Sequence, residues 1–227
     1  MKVYIIKTVD YQEHSRLMYG LSDQGMVSML ARGVKKMNHP LRHLAHPGML
    51  LDVTLTQGKL PTVKDATVVS HYPAAKADLV KLTVHHLCGE IVYHNVTQDD
   101  DYPKLFTFMQ RTFQALETHP NAIDIALLFE LKMLAFLGFA LGFSRQSQRR
   151  AFNHSTYEIE PIQATHTLLE ETIYEDFRLL YYADVSDLKP RHFTIETQRM
   201  YLEITHQLYL KHLDFKAQSK ALLLSFL

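Results

Sequence analysis

The hydrophobic period of this chain changes near residue 75, and that change limits its architecture more than any other feature. Before it, apolar residues alternate with polar ones in short runs. Lys2 to Tyr11 is rich in Val, Ile and Tyr; Ser15 to Leu21 follows, then a turn over Ser22–Gly25 and a further run from Met26 to Gly33. Met49 to Thr56 sets Leu51, Val53 and Leu55 against Asp52, Thr54 and Thr56, and Gln57-Gly58 turns the chain into Lys59 to His71. Val, Ile, Thr and Tyr suit a pleated, half-buried surface. Strands this short and this closely spaced predict a small barrel or sandwich.

After Pro73 the spacing becomes helical. Ala74 to Asn95 carries Leu79, Leu82, Leu87 and Ile91 on one face, and further helices are predicted over Tyr102–Glu117, Ala122–Leu141, Thr165–Tyr182, Thr194–Leu213 and from Ala217 onward. Ser144 to Pro161 reads as polar and irregular. All 12 Phe lie beyond residue 100. The expected class is α+β, with a β unit at residues 1–75 and an all-helical unit at residues 76–227.

Charge divides at the same place. The net charge is zero, which excludes a uniform polycation. Yet residues 1–75 hold nine Lys or Arg against five acids, and the remainder holds 15 against 19. The β unit is basic and the helical unit acidic. The longest apolar stretch, Ala122 to Phe143, is interrupted by Asp124, Glu130 and Lys132, so no membrane span is expected. One cysteine, Cys88, excludes both an intrachain disulfide and a zinc site of several thiolates. The opening Met1-Lys2-Val3-Tyr4-Ile5 reads as a strand, so the expected compartment is the reducing cytoplasm.

The sharpest local signal is Ala31-Arg32-Gly33-Val34-Lys35-Lys36, followed by Asn38, His39, Arg42, His43 and His46, with no acid until Asp52. Such a loop cannot neutralise itself. It offers contacts to backbone phosphates, or it is simply a solvated loop. Lys7, Arg16 and Lys59 join the same face if the strands close into a barrel. Tyr4, Tyr11, Tyr19 and Tyr72 are divided between stacking platforms for bases and ordinary strand positions. Arg145, Arg149 and Arg150 form a second basic cluster, either an extension of that path or a plain exposed loop.

Catalytic signatures are missing. There is no Walker loop, no Gly-x-Gly-x-x-Gly and no nucleophile elbow. Among His85, His86, Cys88 and His94, His86 and Cys88 would point about 200° apart on a helix and cannot share an ion; His85 and Cys88 at i, i+3 could, but no His-Glu-x-x-His pattern occurs. Gly138-x-x-x-Gly142 reads as close helix packing, and Glu130 as a paired acid at the edge of the core. We assign no catalytic residue, metal or cofactor. A histidine-based hydrolase would require a metal or a triad. The remaining alternative is a protein-interaction scaffold whose barrel binds polypeptide and not DNA.

Three blocks carry a family resemblance. Asp10-Tyr11-x-Glu13-x-x-Arg16-Leu17 with Gly25 and Leu30–Lys36 resembles the N-terminal signature of the bacterial RecO family. Leu128–Leu134 with Gly138 is similar to its Phe-Glu-Leu helix, and Gln218–Leu222 to its closing Lys-Ser-Arg segment. The order and spacing fit along nearly the whole chain. The resemblance implies an N-terminal OB-fold barrel followed by an all-helical C-terminal domain. It implies a non-catalytic DNA repair protein of the RecF recombination pathway. Such a protein would bind single- and double-stranded DNA, anneal complementary strands and help load recombinase on SSB-coated DNA, with RecR and the SSB tail as partners. Arg32, Lys35 and Lys36 fall where the family contacts DNA, and Gly25 and Gly33 would be turn or close-approach positions. One departure stands out. Many members carry a four-cysteine zinc module after the Phe-Glu-Leu helix, and Phe139 to Arg150 contains no cysteine.

Overall fold

The computed structural model describes residues 1–97, 100–144 and 150–227. Five strands come first: β1 (Lys2–Tyr11), β2 (Ser15–Ser22), β3 (Gly25–Ala31), β4 (Met49–Leu55) and β5 (Val63–Ser70). They pair antiparallel in the order β3-β2-β1-β4-β5. The ends of that sheet meet. Leu30 bridges in parallel to Thr62, and its N–H donates to the Pro61 carbonyl at 2.8 Å. The result is an OB-like closed sheet: a barrel, one of the two forms that the strand spacing predicts, and the fold that the family resemblance implies.

This sheet is buried on both faces. Val3 and Ile5 point inward with Met18, Met29, Leu51 and Val53 and fill the barrel. Tyr4, Leu21 and Leu50 point outward into the core shared with the helices. Burial on both sides is why Val3–Ile5 and Met49–Leu51 are unbroken apolar runs. A bulge between Ile5 and Lys7 then reverses the parity of β1. Beyond it Thr8 lies opposite Met18, and Lys7 lies opposite Tyr19 on the outer face.

The helical part follows as α1 (Pro73–Ala77), α2 (Leu79–Asn95), α3 (Tyr102–Thr118), α4 (Ala122–Phe136), α5 (Leu168–Tyr182), α6 (Ile195–Leu213) and α7 (Gln218–Ser225). The short strands β6 (Arg150–Asn153) and β7 (Glu158–Pro161) precede α5. Helix α4 is apolar almost all round and is the buried centre, packed on α2, α3, α5 and α6. Its two acids are satisfied. Asp124 accepts from the Arg191 N–H at 2.7 Å, and Glu130 accepts from Lys220 Nζ at 2.7 and 2.5 Å. No helix among the described residues is long and apolar enough to cross a membrane.

The structure corrects three readings of the sequence. Ala74–Asn95 is not one helix: Asp78 is extended, and its carboxylate accepts from the Lys81 N–H at 3.0 Å, so it caps a new helix. The apolar helix stops at Phe136 instead of Leu141. Gly138 sits at φ +93°, its N–H donates to Ala135, and the Phe139 N–H reaches back to Leu134 at 2.8 Å. This is a Schellman cap, a conformation glycine tolerates best. Gly138 and Gly142 therefore lie beyond the helix and do not form a packing stripe.

The third correction concerns Ser144–Pro161. Its second half is a regular hairpin pairing Arg150 with Pro161 and Phe152 with Ile159. Asn153 Oδ1 accepts from the Ser155 and Thr156 N–H groups, which sets the turn. Ala151 and Phe152 are fully buried, and the Phe152 ring lies 5.9 Å from that of Phe177 in α5. This hairpin packs the segment down by apolar burial. A four-thiolate zinc site does not fit these residues, because the chain's one cysteine, Cys88, is buried in α2.

Candidate nucleic-acid interface

The segment between β3 and β4 is a lid on the barrel, and its construction explains its charge. Val34, Leu44 and Ala45 are buried with the barrel interior, and Leu41 packs against them. Backbone turns link Lys36 to Gly33, His39 to Lys36 and Arg42 to His39, ending in a short 3-10 turn at Arg42–Leu44. Two bonds tie the start of the lid to the β1–β2 hairpin: Gly33 N–H to Ser15 Oγ at 3.2 Å and Lys35 N–H to the His14 carbonyl at 2.9 Å. The apolar residues plug the barrel mouth, so the basic ones are left outside.

The six basic residues singled out from sequence separate into three groups. Arg32, Lys36 and Arg42 are exposed on the lid, and no carboxylate among the described residues pairs with them. Arg16 and Lys35 are engaged with one acid, Asp10. Arg16 Nε donates to Asp10 Oδ1 at 3.2 Å and Lys35 Nζ to Asp10 Oδ2 at 2.8 Å. Hydrogen bonding from Lys35, supported by Arg16, holds the Asp10 carboxyl below the ordinary carboxylate range. Arg16 also donates to the Ala45 carbonyl at 2.8 Å, so it clamps the lid. Lys7 is elsewhere, on the seam between β1 and α2, with its ammonium 4.5 Å from the Tyr93 ring centre.

Near the lid, cations crowd together. Burial, and then the neighbouring charges of Arg16, Lys76 and Arg42, push the His46 imidazole below its ordinary pKa. Lys76, in α1, is itself lowered by burial, with Glu117 opposing. Sequence reasoning missed Lys76 because it lies one residue past the expected boundary, in the acidic half.

The tyrosines divide as well. Tyr4 and Tyr72 are buried, hydrogen-bonded to each other and packed edge-on against Phe113. They belong to the core and offer no face to a base. Tyr19 meets Tyr93 edge to face at 5.4 Å, and Tyr11 is exposed on the barrel. Lys59 is exposed in the β4–β5 loop. Of the second cluster, Arg150 is half-buried in β6, and Arg145 and Arg149 lie outside the described residues. Gly25 and Gly33 occupy positive φ, +136° and +65°, at turns as expected.

His85 and Cys88 do not open onto a common site. The His85 ring stacks on Phe113 at 3.8 Å, and Cys88 is fully buried. Burial pushes His85 down to about 3, and burial pushes the Cys88 thiol up.

Both parts of the chain find matches among known proteins. The model of the Recombination protein O N-terminal domain matches residues 1–72, and that of the Recombination protein O C-terminal domain matches residues 76–221. The "DNA repair protein RecO" of Flavobacterium psychrophilum is 24% identical over 231 residues, covering 97% of this chain and 94% of that protein. The protein of the same name from Staphylococcus haemolyticus is 23% identical over 200 residues, covering 83% and 79%. That from Clostridium perfringens is 26% identical over 142 residues, covering 61% and 58%. With a barrel and a helical region each matched by its own family model, the chain belongs to the RecO family of DNA repair proteins.

Proposed function

We infer that this chain acts on DNA without catalysing bond cleavage, by binding strands on its barrel lid and bringing complementary bases together. The observation that carries this reading is the lid itself: Arg32, Lys36 and Arg42 project from a segment whose apolar side is locked in the barrel. Cations fixed on a plugged barrel cost little to organise when a strand arrives, and each phosphate contact releases counterions. Neutralising the backbones of two strands lowers their repulsion and leaves their bases free to pair. Residues 1–75 would serve as the DNA-binding domain, on single and double strands. Residues 76–227, acidic overall, would face proteins, among them RecR and the tail of SSB, and recombinase loading would follow. The work would be done in the cytoplasm, at the nucleoid.

The test is strand annealing of complementary oligonucleotides, bare and coated with SSB. Acceleration by this chain, abolished when Arg32, Lys36 and Arg42 are changed together to Glu, supports the reading. A chain that binds no oligonucleotide at low salt is instead an interaction scaffold.

A further inference from the structure

A cleft of about 530 Å³ lies where β1, α2 and the segment joining α6 to α7 meet. Its size is in the range of small-molecule sites, about 300–1,000 Å³. Lys7 and Thr8 line it from the barrel, Tyr93 and His94 from α2, and Phe215 and Lys216 from the far side. The bulge in β1 is what turns Lys7 outward to this place. Lys7 is held over Tyr93 at 4.5 Å, so its charge stays in the cleft. The acid on the wall is Glu90, and it is partly engaged: its carboxylate accepts from the Ser219 N–H at 2.9 Å. The His94 ring lies 5.4 Å from Phe215, so an aromatic surface stands beside the two lysines. Pro47 lines the same cleft and directly follows His46, whose neighbours are Arg16 and Arg42 of the lid region. Pro47 thus brings the end of the β3–β4 segment to the rim of the cleft.

We propose that this cleft is a nucleotide subsite that seats one phosphate-and-base unit of a single strand leaving the lid. Lys7 and Lys216 take the phosphate, and the base lies against His94 and Phe215. Cations beside aromatic faces are the combination that single strands require, and it reads no sequence. The proposal rests on the DNA-binding reading above and adds to it a second binding region at the seam between barrel and helices.

The test uses the full chain and a labelled oligothymidylate, titrated by fluorescence anisotropy at several salt concentrations. Lys7→Gln with Lys216→Gln is expected to weaken binding by about tenfold at low salt and to reduce the salt slope by about 0.7 for each phosphate no longer neutralised. Its melting temperature should match the parent's, since both lysines are exposed. Photocrosslinking with an iodouridine-bearing strand should place an adduct on the peptide holding His94 or Phe215. If the parent binds, the lid variant is weakened and the Lys7/Lys216 variant binds like the parent, the subsite is refuted and DNA binding by the lid stands. Adducts confined to the lid refute it too. A parent chain that binds no oligonucleotide overturns both readings together.

Discussion

Glu130 and Lys220 stand 90 residues apart and meet as an ion pair in the core, each with its side chain 3% exposed. Lys220 Nζ reaches both carboxylate oxygens, and Thr205 Oγ1 donates to Glu130 Oε2 at 2.8 Å. The Tyr209 hydroxyl closes the group by donating to the Glu130 carbonyl at 3.0 Å. Two segments that resemble family motifs, the Phe-Glu-Leu helix and the closing segment, are thus halves of one interaction between α4 and α7.

Removing one partner should therefore cost far more than removing both. Burial alone lowers the Lys220 pKa, and Glu130 opposes that shift, so each group depends on the other. Lys220→Met should destabilise the fold by about 3–5 kcal/mol, the usual cost of stranding a buried charge. Glu130→Leu with Lys220→Met should recover most of that stability. Urea unfolding of the single and double variants measures the difference.

Gly138 supports a second stability prediction. Its φ of +93° ends α4, and no neighbouring atom would meet an added Cβ, so any penalty for a side chain is conformational. Gly138→Ala should cost about 1–2 kcal/mol, and Gly138→Asn less, because Asn tolerates left-handed backbone. Thermal melts of the two variants give the comparison.

His85 should make the protein acid-labile. The unfolded chain takes up this proton near 6.5 and the folded chain only near about 3. Between those values the unfolded state binds more protons, so stability falls as pH drops, by about 1.4 kcal/mol per unit at most for this group. His85 Nε2 has no hydrogen-bond partner among the described residues, so His85→Phe keeps the packing on Phe113 and removes the proton. Urea midpoints measured from pH 7 down to about 4 should show a shallower decline for the variant.

Asp10 should act as a brake on DNA binding. It engages Lys35 and Arg16, two cations that would otherwise add to the lid. Asp10→Asn removes a negative charge from that face and is expected to tighten single-strand binding a few-fold. Weaker binding would mean that Asp10 serves chiefly to hold Arg16, and with it the lid, in place. Anisotropy titration against the same labelled strand decides between them.

Much of the fold could be read from the sequence because its signals are local. Short runs rich in Val, Ile, Thr and Tyr between turn residues mark the five barrel strands, and 3.6-residue spacing marks the long helices. The errors have local causes as well. Asp78 and Gly138 are both recognisable cap residues, but an apolar pattern running past them hid the breaks. The β6–β7 hairpin has strands of four residues, too short for alternation to register. The site was legible as a composition, a basic loop without acids, but not as a geometry. That Arg16 is paired follows from register: a hairpin joining Tyr11 to Ser15 places Asp10 opposite Arg16. Lys76, Tyr93 and Lys216 left no trace, because only folding brings α1 near His46 and sets α2 and the α6–α7 link beside β1.

Arg32, Lys36 and Arg42, which pair with no carboxylate among the described residues, are expected to bind strand backbone. The most direct test is the affinity of the Arg32→Glu, Lys36→Glu, Arg42→Glu chain for a single-stranded oligonucleotide across a salt series. The account predicts at least about a tenfold loss of affinity at low salt and a salt slope reduced by about two, for three phosphates near 0.7 each. Equal affinity and equal slope for the variant and the parent would contradict it and place any DNA-binding face elsewhere on the molecule.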